Sequence, residues 1–221
     1  YLQENQSWEF GFITAWQSAG HSQNLVGFPH STVRYWDLRY FFDPRNYSRK
    51  GQINLPLPSF VGVSGSVIKN MYVDSGYPQD MLIELEALRY LHLCNNTIHK
   101  VKACNEPSKG KVVLVTGEYT KLNTDKLLNT LLSALVDINQ STSYIVKSHP
   151  AYPVNMENFT GLHGKSSIKP IAELLTMCDI VYSGSSTSAA VEAYCAGLPV
   201  VVLLDGTSLN MSSLRGYKGV Y

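Results

Sequence analysis

In the second half of the chain, short apolar runs alternate with stretches whose apolar positions recur at helical spacing. Lys111-Val112-Val113-Leu114-Val115-Thr116 is a continuous run of the kind that forms a strand buried on both faces. Residues 122–138 place Leu127, Leu128, Leu131, Leu132, Leu135 and Ile138 on one helical face. Residues 143–147 predict a second strand and Leu162-His163-Gly164 a short one. Residues 168–178 predict a helix with Pro170 in its first turn. A strand over 179–182, a helix over 185–196 and a buried strand over 199–204 follow, with Gly197-Leu198-Pro199 ending the helix and entering the strand. Strands separated by helices imply right-handed crossovers and a parallel sheet.

The first half is less regular. Tyr1-Leu2-Gln3 reads as the end of a strand with Glu4-Asn5-Gln6 at its tip. A helix follows from Ser7, with Trp8, Phe12, Ala15, Trp16 and Ala19 at helical spacing and Gly20 as the stop. Residues 24–28 and 60–63 read as strands, and Ser64-Gly65-Ser66 opens a helix to about Asp74. The aromatic stretch 35–42 has no clear period, residues 44–58 read as a surface loop, and 81–93 fit either a helix or a strand plus turn. The polar, lysine-bearing stretch 94–110 reads as a linker, which divides the chain into units 1–93 and 111–221.

Composition narrows the class. The 221 residues are 44% hydrophobic and 16% charged, with a net charge of +1, so no basic face argues for nucleic acid. The 14 tyrosines are scattered and form no stacking platform in the sequence. Cys94, Cys104, Cys178 and Cys195 lack metal-site spacing, and the last two lie in apolar segments, where a cysteine acts as a small buried hydrophobe. A reducing compartment fits such usage. No apolar run approaches the ~18 residues of a membrane-spanning helix. Both ends fall within strand-like sequence, so the chain reads as a truncated fragment of a longer protein.

Two strand ends carry the candidate chemistry. Lys147-Ser148-His149-Pro150 follows Tyr144-Ile145-Val146, and Ser183-Gly184-Ser185-Ser186-Thr187-Ser188 follows Ile180-Val181-Tyr182. A hydroxyl-rich loop that opens a helix leaves backbone N–H groups without intrahelical partners, at the positive end of the helix dipole. Such a loop suits phosphate, and a neighbouring His and Lys add donors to the same crevice. Ser185, Ser186 and Thr187 supply more hydroxyls than a helix cap needs. No cluster of His, Asp or Glu suggests a metal, so the charge of a bound phosphate would fall to His149, the loop amides and Lys147.

These residues resemble the donor-binding domain of GT-B glycosyltransferases, which join two Rossmann-like domains with parallel sheets across a cleft. His149-Pro150 with Ser185, Ser186 and Thr187 is similar to bacterial transferases of capsule and lipopolysaccharide synthesis that use CMP-activated sialic or Kdo-type sugars. Such families carry an acidic pair and a glycine at a strand end of the first domain. Glu4-Asn5-Gln6 stands in the comparable place and matches only the first acid. Together with His30-Ser31-Thr32-Val33-Arg34, these segments also resemble bacterial surface-carbohydrate biosynthesis proteins.

The resemblance implies an α/β, GT-B-like fold and transfer of a sugar from a nucleotide donor to a hydroxyl of a surface glycan or glycolipid. A CMP-linked acid sugar is favoured over a UDP sugar. Glu4 is the expected base, with Glu9 its rival. Lys147, His149, Pro150, Gly117, Ser185, Ser186 and Thr187 bind the donor, with Glu192 near the ribose. His30 and Arg34 contact acceptor or sugar carboxylate. No cofactor, metal or nucleic-acid partner is expected. The location implied is cytoplasmic, with peripheral association at the inner face of the membrane. The alternatives are a UDP-sugar 2-epimerase of the same fold and a non-catalytic nucleotide-sugar-binding subunit.

Overall fold

A computed structural model describes residues 1–21, 25–34, 37–47, 55–91, 93, 110–135 and 142–221. The chain divides into two compact units, Tyr1–His92 and Leu93–Tyr221. The expected linker over 94–110 lies almost wholly outside the described residues, as do Cys94 and Cys104.

The first unit holds β1 (Leu2–Gln3), α1 (Ser7–Ser18), β2 (Val26–Pro29), β3 (Phe60–Val63), α2 (Ser66–Asp74) and β4 (Leu82–Glu84). Its four strands pair in parallel in sequence order. The ambiguous stretch 81–93 is thus a strand followed by a 3-10 turn at Leu88–Tyr90. Tyrosines dominate the core: Tyr40, Tyr47, Tyr72 and Tyr77 are buried with Val33, Val61, Val63 and Leu82. Tyr77 meets Tyr47 and Tyr72 edge-on, with ring centroids 4.9 and 5.4 Å apart. Four of the 14 scattered tyrosines are therefore brought together by folding, as packing of this core.

Helix α1 departs from expectation. Trp8 is 66% exposed and Phe12 37%, whereas Glu9 and Ile13 are buried. The buried face lies one residue round from the predicted one because a carboxylate occupies it. Glu9 accepts from the backbone N–H groups of Glu4, Asn5 and Gln6 at 3.0–3.3 Å. It closes the loop at the tip of β1 and caps the helix that carries it. Asn5 sits in the left-handed region (φ 55°), which Asn tolerates better than most residues.

The second unit is a five-stranded parallel sheet in the order β7-β6-β5-β8-β9. Its elements are β5 (Val112–Thr116), α3 (Lys121–Ala134), β6 (Ser143–Lys147), β7 (Gly164–Ser167), α4 (Ile171–Leu175), β8 (Ile180–Gly184), α5 (Ala189–Cys195) and β9 (Val200–Leu203). Successive strand residues feed opposite faces. Leu114, Ile145 and Val181 pack with α4 and α5, while Val115, Val146 and Tyr182 pack with α3. Continuous apolar runs are what a sheet covered on both faces requires. Past β9 the chain returns, and Val220 forms a parallel bridge with Val200.

Two predicted helices are shorter in the structure, and a third is described only in part. Helix α3 is assigned as Lys121–Ala134, and residues 136–138 lie outside the described residues. Pro170 caps α4 from outside it. Helix α5 begins at Ala189, one turn after the expected start, so Ser185–Ser188 form a turn before it. Cys178 is buried as expected, and burial pushes its thiol up to about 12. Cys195 is exposed, contrary to expectation, because it falls on the outer side of the short α5. No helix among the described residues is long and apolar enough to cross a membrane.

Candidate functional site

In the second unit the chain runs from β5 outward to β6 and β7, then returns to the other side of β5 for β8 and β9. The strand order therefore reverses between β5 and β8, and parallel sheets bind ligands at the carboxyl edge beside such a point. The residues that follow β5, β6 and β8 meet there. Gly117 donates its N–H to the Lys147 carbonyl at 2.8 Å. A Cβ on Gly117 would lie 3.2 Å from the His149 nitrogen, so a side chain there would press on the β6 loop.

His149 is half-buried in a tight turn. Its carbonyl accepts from the Tyr152 N–H at 2.9 Å, and its Nδ1 accepts from the Ala151 N–H at 3.1 Å. With Nδ1 committed as an acceptor, the neutral ring carries its proton on Nε2, where it can be donated. The Tyr119 ring stands edge-on to it at 5.4 Å. Pro150 is exposed at the turn. Lys147 instead reaches toward β7, donating to the Ile168 carbonyl at 3.3 Å.

The hydroxyl cluster is partly committed. Thr187 Oγ1 accepts from the Ala189 N–H at 3.3 Å. Ser186 donates to the carboxylate of Glu118. Ser185 is half-buried in the same turn, and Glu192 is half-buried on α5. Glu118 is the residue that sequence reasoning passed over. It is 4% exposed and lies across Gly184, where a Cβ would fall 1.9 Å from its Oε1. The signal was an acid directly after a strand-final Thr116-Gly117, read only for its glycine.

In the first unit Glu4 sits at the tip of β1. Its Oε1 accepts from the Ser31 N–H at 3.0 Å and the Ser31 hydroxyl at 2.8 Å, and its Oε2 pairs with Arg39. Arg39 also grips buried Asp37 with Nε at 2.9 Å and Nη2 at 2.6 Å. Burial works to raise the Asp37 carboxyl, but the hydrogen bonds and charge of Arg39, with Arg34 beyond, hold it below its ordinary range. The same hydrogen bond to Asp37 leads in lifting the Arg39 guanidinium above its usual value. Asn5 Nδ2 donates to the Arg39 carbonyl at 2.6 Å, and Tyr40 lies 3.2 Å from Ser31 Oγ.

Glu4 is thus one corner of an ordered network that the irregular stretch 35–42 did not reveal. His30 is exposed, with its N–H donating to the Gln3 carbonyl at 3.2 Å, and half-buried Arg34 accepts through its carbonyl from the Asp37 N–H at 3.0 Å. Glu9, the rival base, is fully buried and spent on the backbone of the β1 tip. Among the described residues no three His, Cys, Asp or Glu side chains are placed to hold a metal ion.

The architecture is α/β of the GT-B kind, built from parallel-sheet units. It is similar to MnaA of S. aureus, solved with UDP, at TM-score 0.53 and 13% identity over 90% of this chain. It is also similar to the UDP-GlcNAc 2-epimerase of Methanocaldococcus jannaschii, solved with UDP-GlcNAc and UDP, at TM-score 0.50 and 13% identity over 88% of this chain. The chain spans 63% of each of those proteins. Against HepE of Anabaena it spans 55%, at TM-score 0.46, 13% identity and 86% of this chain. No protein-family model and no curated protein sequence matches the chain. At these identities the likeness defines the fold and leaves the chemistry to the residues.

Proposed function

We propose that the chain is part of a GT-B glycosyltransferase that moves a sugar from a nucleotide donor to a hydroxyl of a surface glycan or glycolipid. The observation that carries this reading is the convergence of Gly117, His149 and Ser186 at the reversal point of the five-stranded sheet. His149 Nε2–H donates to a donor phosphate oxygen and steadies the charge of the leaving nucleotide. Gly117 and the turn 185–187 bring backbone close to the same group, with Lys147 and Pro150 shaping the loop and Glu192 toward the ribose. Glu4, oriented by Ser31 and Arg39, takes the proton of the acceptor hydroxyl. His30 and Arg34 lie on the loop after β2 and serve acceptor or sugar recognition. The reaction needs no metal or organic cofactor in this reading. Work at the inner face of the cytoplasmic membrane suits a lipid-linked acceptor.

Calorimetry with CMP, CDP, UDP and GDP tests the donor site, with His149→Ala as the control. Selective binding of one nucleotide that weakens at least tenfold in the variant is expected, and failure of the folded protein to bind all four would overturn the site. CMP selectivity supports an acid-sugar donor. A second reading, a UDP-sugar 2-epimerase, draws support from likeness to the UDP-GlcNAc 2-epimerase. UDP selectivity with inversion at C2 of UDP-GlcNAc and no acceptor requirement would favour it. Nucleotide binding without turnover would instead favour a non-catalytic binding subunit.

A further inference from the structure

The carboxyl end of β5 holds two buried polar atoms with no hydrogen-bond partner, Thr116 Oγ1 and Glu118 Oε1. Both residues are almost fully buried, at 2% and 4% exposure. The rest of Glu118 is held firmly. Its N–H donates to Thr124 Oγ1 at 3.0 Å, its carbonyl accepts from the same hydroxyl at 3.0 Å, and Oε2 accepts from Ser186. Gly184 leaves the space in which Oε1 lies. An ionised carboxylate only accepts hydrogen bonds, and a buried oxygen without a donor is unfavourable. An ordered buried acceptor left without a donor at the carboxyl edge of the sheet is a candidate for ligand contact.

We propose that Glu118 Oε1 accepts a hydrogen bond from a sugar hydroxyl of the nucleotide sugar, an assignment that rests on the donor-site reading above. A carboxylate repels phosphate and welcomes a neutral hydroxyl. The ligand therefore has a direction in the crevice, with a sugar ring over β5 and β8 and phosphate toward β6, where His149 Nε2–H can donate. The hydroxyl belongs either to the ribose or to the transferred sugar. Ser186 is a positioning residue that fixes the carboxylate through Oε2.

The test is calorimetry of the full chain with UDP, UDP-GlcNAc, CMP and CMP-N-acetylneuraminate, comparing wild type with Glu118→Gln and Ser186→Ala. Thermal melting of the ligand-free proteins runs alongside. A hydrogen bond to a charged group corresponds to roughly tenfold in affinity or more. The expected result is such a loss in Glu118→Gln without a lowered melting temperature, and a smaller loss in Ser186→Ala, which also lowers the melting temperature because it removes the donor to Oε2. Equal loss for nucleotide and nucleotide sugar assigns the hydroxyl to the ribose; loss confined to the nucleotide sugar assigns it to the transferred sugar. Lowered melting temperature with unchanged affinity for every probe bound by wild type would overturn the role of Glu118 and leave the donor site standing. Binding of none of the four by wild type would overturn both. Should Glu118→Gln not fold, unchanged affinity in Ser186→Ala overturns the proposal.

Discussion

Gly184→Ala is the sharpest structural perturbation of the candidate site. Gly184 has no left-handed φ, so its backbone accepts alanine, and any penalty must come from what the new methyl meets. The Cβ would lie 1.9 Å from Glu118 Oε1, 2.6 Å from Cδ and 2.9 Å from Cγ. A rotation of the carboxylate alone cannot relieve three such contacts, so the side chain must leave and release Ser186. Overpacking of this kind costs about 1–3 kcal/mol, and a lost bond to a charged group about 1.5–3 kcal/mol. Hydration of the expelled carboxylate offsets part of this, which leaves a loss of about 2–3 kcal/mol.

In urea that loss lowers the midpoint by roughly 1 M for a unit of this size. The assay is urea unfolding by circular dichroism, with tryptophan fluorescence as an internal control. Trp8, Trp16 and Trp36 all fall within residues 1–92, so the fluorescence transition reports on the first unit separately. The same substitution in a Glu118→Ala background should cost under about 1 kcal/mol, giving a coupling near 2 kcal/mol. Equal cost in both backgrounds would refute the close packing of Glu118 on Gly184.

Two further outcomes are expected in the first unit, both read from tryptophan fluorescence. Glu9→Ala removes the acceptor for the N–H groups of Glu4, Asn5 and Gln6 and should cost about 3 kcal/mol in urea unfolding, with Glu9→Gln milder; an unchanged midpoint would show that the β1 tip does not depend on it. Asp37 has its folded pKa lowered below 3.8, so its stabilisation is fully present above that value and is lost as pH falls through the lower folded pKa. Asp37→Asn should flatten acid unfolding of this unit below about pH 4, and an unaltered acid profile would remove Asp37 from the account.

Much of the second unit was legible because its signals are local. Val112 to Thr116 is the buried strand its continuous apolar run indicates, and Gly197-Leu198-Pro199 lies between the end of one element and the start of the next. His149 and Ser186 stood out in the sequence because strand-end loops are marked by the strands before them. Glu118 was missed because its importance lies in a glycine on a different strand, distant in sequence and adjacent across β5 and β8. The start of α5 was misplaced because the Ser/Thr run suits a cap anywhere along its length. Helix α1 was read on the wrong face because Trp8 and Phe12 outweigh Glu9 in any apolar count. Burial there is decided by the unpaired backbone of the β1 tip.

The sequence by itself determined the alternation of strands and helices, the parallel class of the sheet, and which loops carry hydroxyls and imidazole. Those properties follow from the spacing of apolar side chains and the chemistry of single residues. Only the tertiary structure decided strand order, and with it the reversal that brings the loops after β5, β6 and β8 together. It alone tied Glu4 to Arg39 and Asp37, gathered Tyr40, Tyr47, Tyr72 and Tyr77 into one core, and laid Glu118 across Gly184. Each of these depends on distances between residues far apart in the chain, and a periodic pattern holds no record of them.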